Sequence, residues 1–121
     1  APMSTPGFDP DLFLEYLGDD RELAVELLTA FTEDAPVRLA DLTSAVEALD
    51  FESATRSAHS LKGMCGVLRD REVAALALEM ETAARTRDEA VLHAALPKLT
   101  HGLREVLDRA AAFLASGPRA A

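Results

Sequence analysis

Read from the amino terminus, apolar side chains recur at steps of three and four in five stretches, the period of amphipathic helices. The first is short: Asp9 is placed to cap it, Pro10 suits the first helical position, Leu12, Phe13 and Tyr16 follow, and Gly18 stops it. A second, long stretch carries Leu23, Leu27, Phe31, Ala35, Leu39, Leu42, Val46 and Leu49. It opens with Asp19 and Glu22 at capping-box spacing and ends near Asp50. Pro36 removes one backbone hydrogen bond inside it, which predicts a kink or a local break. The third stretch starts after Asp50 and presents Phe51, Ala54, Ala58, Leu61, Cys65 and Leu68 to a core. Asp70 caps the fourth, whose core positions are Val73, Leu76, Ala77, Met80 and Ala84 and which ends near Thr86. Thr86 and Glu89 repeat the capping-box spacing before the fifth, where Val91, Leu92, Ala95, Leu99, Leu103, Val106, Leu107, Ala110 and Phe113 continue past Pro97, a point for a bend.

Short connections between long amphipathic helices favour antiparallel neighbours. The pattern therefore predicts an all-α fold, an antiparallel up-down-up-down four-helix bundle with a short N-terminal capping helix. The expected domain covers residues 8–115, with residues 1–7 and 116–121 as flexible tails that lack apolar periodicity. A length of 121 residues suits one core. Composition supports the helical reading: Ala and Leu dominate the apolar set, and there is no Trp, one Tyr and five Phe.

Charge narrows the function. Lys and Arg number 12 against 21 Asp and Glu, a formal net charge of −9. Such a surface repels phosphate backbones, so nucleic acid is not an expected partner, although a local basic patch can still meet one phosphoryl group. Cys65 is the single cysteine and has no internal disulfide partner. No stretch reads as a signal peptide or a membrane span, and a cytoplasmic setting is expected.

The third helix carries the unusual residues. At about 100° per residue, His59 falls roughly 130° from the mean core direction, so its imidazole is expected to face solvent. Gly63 and Gly66 follow four and seven residues later, on the same strip of helix surface. A glycine inside a helix costs about 1 kcal/mol relative to Ala. Two of them beside one histidine leave bare backbone where another molecule can approach the ring closely. Lys62, three residues after His59, and Arg56, three before it, can bring positive charge to an anion on the ring. A neutral imidazole nitrogen is a competent nucleophile near pH 7, and phosphoryl transfer asks for positioning and charge neutralisation more than for covalent machinery.

The run Ala58-His59-Ser60-Leu61-Lys62-Gly63 resembles the signature of histidine-containing phosphotransfer (HPt) domains, His-x-Leu-Lys-Gly after a small residue. The likeness extends over about residues 8–114, through Phe8-Asp9, Leu17-Gly18-Asp19-Asp20, Phe31, Ala35-Pro36 and Glu79-Met80-Glu81. It implies that His59 is the phosphorylation site, that Lys62 steadies the phosphoryl oxygens, and that Gly63 gives a receiver domain its access. Arg56, Ser60 and Gly66 would complete the partner-facing surface. The implied role is that of a monomeric phosphorelay intermediate between receiver domains of response regulators or hybrid sensor kinases. No cofactor is expected on the chain itself, and Mg²⁺ would come with the receiver. One departure stands out: the family usually has a small residue, most often Gly, ten positions after the histidine, where this chain has Arg69.

Two other functions compete. A dimerisation and phosphoacceptor domain of a sensor histidine kinase also displays a histidine on a helical bundle, but usually with an acidic residue next and a proline soon after; here Ser60, Leu61, Lys62 and Gly63 follow. A non-catalytic helical adaptor would use the same face without phosphorylation. An autonomous kinase or hydrolase is not expected, since no nucleotide-binding glycine loop, acid/base pair or metal cluster is present in the sequence. Cys65 reads as a small core residue. His93 and His101, roughly 12 Å apart along a helix, are too distant to share a metal. Asp19, Asp20 and Glu22 read as caps, Glu79 and Glu81 as solvated charges, and Arg69, Asp70 and Arg71 as a structural turn.

Overall fold

Five aspartates set the helix starts. The computed structural model describes residues 7–117, and in it the carboxylates of Asp9, Asp20, Asp50, Asp70 and Asp88 each accept a backbone N–H from the turn that follows. The helices they open are α1 (Pro10–Tyr16), α2 (Arg21–Glu47), α3 (Phe51–Val67), α4 (Arg71–Arg85) and α5 (Glu89–Ser116). Residues 1–6 and 118–121 of the expected tails lie outside the described residues.

Two caps differ from the capping-box reading. Asp19 takes a left-handed turn conformation, with φ 63°, and leaves the start of α2 to Asp20. Thr86 ends α4 instead of starting α5: its hydroxyl donates to Thr82 O at 3.0 Å, and Asp88 caps two residues later. Glu22 and Glu89 still sit in the first turns, where negative charge suits the helix dipole. Both long helices also run without interruption through Pro36 and Pro97, so the break considered at Pro36 does not occur. Packing of α2 against both α3 and α5 holds helical backbone on either side of the missing hydrogen bond.

The three turns between the long helices share one construction. In each, a non-glycine residue takes a left-handed conformation and is followed at once by the aspartate cap: Leu49 (φ 56°), Arg69 (φ 65°) and Arg87 (φ 60°). At the end of α3, Arg69 N donates to Gly66 O at 3.0 Å and Asp70 N to Cys65 O at 3.1 Å, the paired bonds of a Schellman motif. The residue ten positions after His59 thus occupies a conformation that glycine adopts without strain.

Around the bundle, α3 packs on α2 and α4, and α5 on α4 and α2, which closes a ring of four helices. Leu28, Leu42, Leu61, Met80, Leu92, Leu99 and Leu103 fill the space between them. At one end α1 meets α2 and α5 and inserts Phe13, whose ring meets that of Phe8 edge-on at 5.7 Å. The core face of α2 starts one residue later than expected. Ala24 and Leu28 are buried, whereas Leu23 is exposed and Leu27 only partly covered. Leu49, also assigned to the core, is exposed as a turn residue. No helix among the described residues is long and apolar enough to cross a membrane.

Candidate functional site

The start fixed by Asp50 and the core stripe Ala54, Ala58, Leu61 and Cys65 set the rotation of α3, and that rotation turns His59 outward. Its side chain is 66% exposed. The ring is nevertheless tethered, because His59 Nδ1 lies 2.9 Å from Oε2 of Glu81 on α4. Two cations share that carboxylate: Lys62 Nζ is paired with Oε1 at 2.8 Å, and Arg85 Nη2 reaches Oε2 at 2.9 Å. Lys62 foremost, then His59 and Arg85, hold the Glu81 carboxyl down to about 2, against the upward push of its burial.

Electrostatics then assigns the imidazole. Glu81 is ionised throughout the neutral range and can only accept, so Nδ1 must carry the proton and donate it. In the neutral ring this leaves the lone pair on Nε2, the far nitrogen of a solvent-facing side chain. With His59 neutral, the group of Glu81, Lys62 and Arg85 carries one net positive charge. An anion brought to the ring would therefore meet a favourable local field in an acidic protein.

The solvation expected for Glu81 is overturned: its side chain is 4% exposed. Ala77, Glu81 and Ala84 lie at spacings of four and three on the buried face of α4. A carboxylate in line with that core stripe was the signal available in the sequence. Glu81 and Arg85, both on α4, are the members of the cluster that reading the third helix alone did not supply.

The two glycines beside His59 are open as expected. Both Gly63 and Gly66 are exposed, and a Cβ added at either would meet nothing within 4 Å. Next to this strip, Leu27, Phe31, Met64 and Val67 line a shallow apolar groove of about 130 Å³ between α2 and α3. Leu27, which the core pattern had claimed, serves this groove. On the other flank of α3 a larger polar groove of about 520 Å³ is lined by Arg38, Ser44, Ser57 and Ser60, among others. Arg56 lines it too, but is engaged one turn back, 3.5 Å from Glu52 and 3.2 Å from Ser53 Oγ, and stands apart from the carboxylate cluster.

The remaining residues are placed as structural. Cys65 is buried, and burial, with the negative charge of Asp70 behind it, pushes its thiol up to about 12, far from reactive thiolate. His93 and His101 are exposed, the first with Nδ1 on Glu89 O at 2.8 Å, the second 3.6 Å from Glu105. Among the described residues no group of His, Cys, Asp and Glu is arranged to hold a metal ion.

A family model described as Hpt domain matches residues 26–113. Among solved structures, histidine-containing phosphotransfer protein B (HptB) from Pseudomonas aeruginosa PAO1 superposes with a TM-score of 0.84 at 22% identity, covering 95% of this chain and 100% of that one. The HPT domain of a sensor hybrid histidine kinase from Shewanella gives 0.80 at 19% identity, over 93% and 97%. These two show a shared fold. Among curated proteins none matches the chain.

Proposed function

The chain belongs to the Hpt domain family, whose work is histidine phosphotransfer in phosphorelays, and from that premise we propose that it accepts a phosphoryl group on His59 from a phospho-aspartyl receiver domain and passes it to another. The observation that carries this reading is the exposed imidazole tethered through Nδ1 to a buried, ionised Glu81.

In the forward step the Nε2 lone pair attacks phosphorus. The bond from phosphorus to the aspartyl oxygen breaks, and the aspartate leaves with the electron pair as a free carboxylate. Positive charge develops on the ring as the N–P bond forms, and Glu81, held at Nδ1–H, meets it. The same contact serves the return step, because a protonated ring is the better leaving group when the phosphoryl moves on. Lys62, paired with Glu81 Oε1, is the cation that would turn to the phosphoryl oxygens. Gly63 and Gly66 leave room for the receiver, while the apolar groove beside them offers it a floor. Ser60 and Arg56 would border this contact from the polar groove. Within the proposal the divalent cation that assists transfer belongs to the receiver, the chain acts as a monomer, and no autonomous kinase activity is expected of it.

Incubation with a radiolabelled phospho-receiver tests the reading. The wild-type chain should gain an acid-labile, alkali-stable label and His59→Gln none; label persisting on that variant would remove the assignment. A dimer in solution would favour the sensor-kinase alternative.

A further inference from the structure

The turn that ends α3 holds a cation without a counter-charge. Arg69 is exposed, and its guanidinium lies over the Tyr16 ring at 3.9 Å from the centroid. Among the described residues the guanidinium forms no ion pair or hydrogen bond. Tyr16 is itself 58% exposed, so the pair sits on the surface and not in a core gap. Stacking fixes the plane of the guanidinium while leaving its N–H edge free.

Position gives the pair its meaning. Arg69 lies ten residues beyond His59, roughly 15 Å along the helix axis. The strip between them is Gly63, Gly66 and the exposed Val67, with the apolar groove alongside. The backbone at Arg69 is left-handed, where glycine is the unstrained choice, yet a long cationic side chain stands there. In a chain of net charge −9, a fixed and unpaired cation at the edge of the open strip draws carboxylates to that edge.

We propose that Arg69, immobilised on Tyr16, determines partner choice by taking a surface carboxylate of the receiver domain that covers Gly63 and Gly66. The proposal rests on His59 being the phosphoacceptor. Arg69 touches no reacting atom; it selects receivers through the strength of docking, and the flat fork of the guanidinium suits a bidentate carboxylate contact.

The experiment is single-turnover transfer from a radiolabelled phospho-receiver that labels the wild-type chain, with receiver in varied excess at two ionic strengths. Arg69→Gly fits the left-handed turn and should melt no lower than wild type by more than the lost stacking explains. It should raise the half-saturating receiver concentration about tenfold, leave the maximal rate within about twofold, and weaken the salt dependence. Tyr16→Ala should shift half-saturation the same way by a smaller factor, and Arg69→Lys should recover it only in part. An unchanged half-saturation in Arg69→Gly overturns the proposal, as does a fall confined to the maximal rate. Absence of label on the wild-type chain itself is a different result, which overturns the reading of His59 and this inference with it.

Discussion

His59 and Glu81 meet at 2.9 Å from two different helices, yet their environments are opposite: the imidazole is 66% exposed and the carboxylate 4%. The fixed partner is therefore the carboxylate. Glu81 is walled in by the packing of α3 on α4 and pinned by Lys62 and Arg85, so it presents one oxygen to Nδ1 in a constant direction. An exposed ring is thereby oriented from the protein side, the preorganisation that the proposed phosphoacceptor would need.

Glu81→Gln tests the tether. An amide keeps the shape but removes the charge, and it can offer Nδ1 a donor as readily as an acceptor. Transfer should slow by one to two orders of magnitude, less than where a fully enclosed histidine–aspartate pair is broken. Ring ¹⁵N shifts of His59 should move from one dominant tautomer, protonated at Nδ1, toward a mixture. Unchanged shifts and rates would show that Glu81 does not control the ring.

Acid should reveal the same carboxylate. The folded Glu81 lies at about 2 and its ordinary value is 4.5, so the folded state binds this proton less readily than the unfolded chain. Its stabilising contribution is complete above about pH 4.5 and is lost as pH falls toward 2. Denaturant titrations across that window should show a steep loss of stability in the wild type and a shallower one in Glu81→Gln. Parallel profiles would place the acid sensitivity elsewhere.

The glycines divide into two kinds. At Gly63 a side chain meets open space, so Gly63→Gln should stabilise the helix by about 0.5 kcal/mol while slowing transfer sharply. At Gly102 on α5 a Cβ would lie 2.9 Å from Val73 Cγ2 on α4. There the gain of about 1 kcal/mol in helix propensity opposes overpacking of about 1–3 kcal/mol against a stiff branched side chain. Gly102→Ala should be neutral to destabilising, with transfer unchanged. Equal melting shifts from Gly63→Ala and Gly102→Ala would contradict the distinction.

These contrasts show what the chain discloses locally and what only packing decides. His59, Lys62 and Gly63 share one helix, so their relationship follows from helical geometry as soon as the core stripe of α3 is recognised. Glu81 joins them only because α4 packs on α3 in a particular rotation, a non-local fact signalled by no more than a charge in line with Ala77 and Ala84. Asp9 and Asp70 cap as expected, whereas the cap of α2 was misplaced for a different reason. Asp19 and Asp20 are adjacent and chemically equal, and the left-handed turn at Gly18 and Asp19 chooses between them. Leu23 and Leu27 misled because the apolar face of α2 is wider than its core contact: Leu23 is exposed and Leu27 lines the groove beside Met64.

The repeated turn construction yields a stability series. Leu49, Arg69 and Arg87 all hold left-handed backbone, a conformation disfavoured for any residue with a Cβ. Glycine at each should relieve that strain, with its greater freedom in the unfolded chain taking back part of the gain. What each side chain does then separates the three. Leu49 is exposed and lies outside the core cluster, so Leu49→Gly should stabilise by about 0.5–1 kcal/mol and raise Tm by a few degrees. The Arg87 guanidinium lies 5.3 Å from the Phe51 ring centroid and that of Arg69 3.9 Å from Tyr16. Losing such contacts costs about 0.5–1 kcal/mol at exposed sites. The gain should therefore fall from Leu49→Gly through Arg87→Gly to Arg69→Gly, which should be close to neutral. Thermal melts of the three variants check the order, and a Leu49→Gly protein that melts below wild type would mean that backbone strain is not what these turns carry.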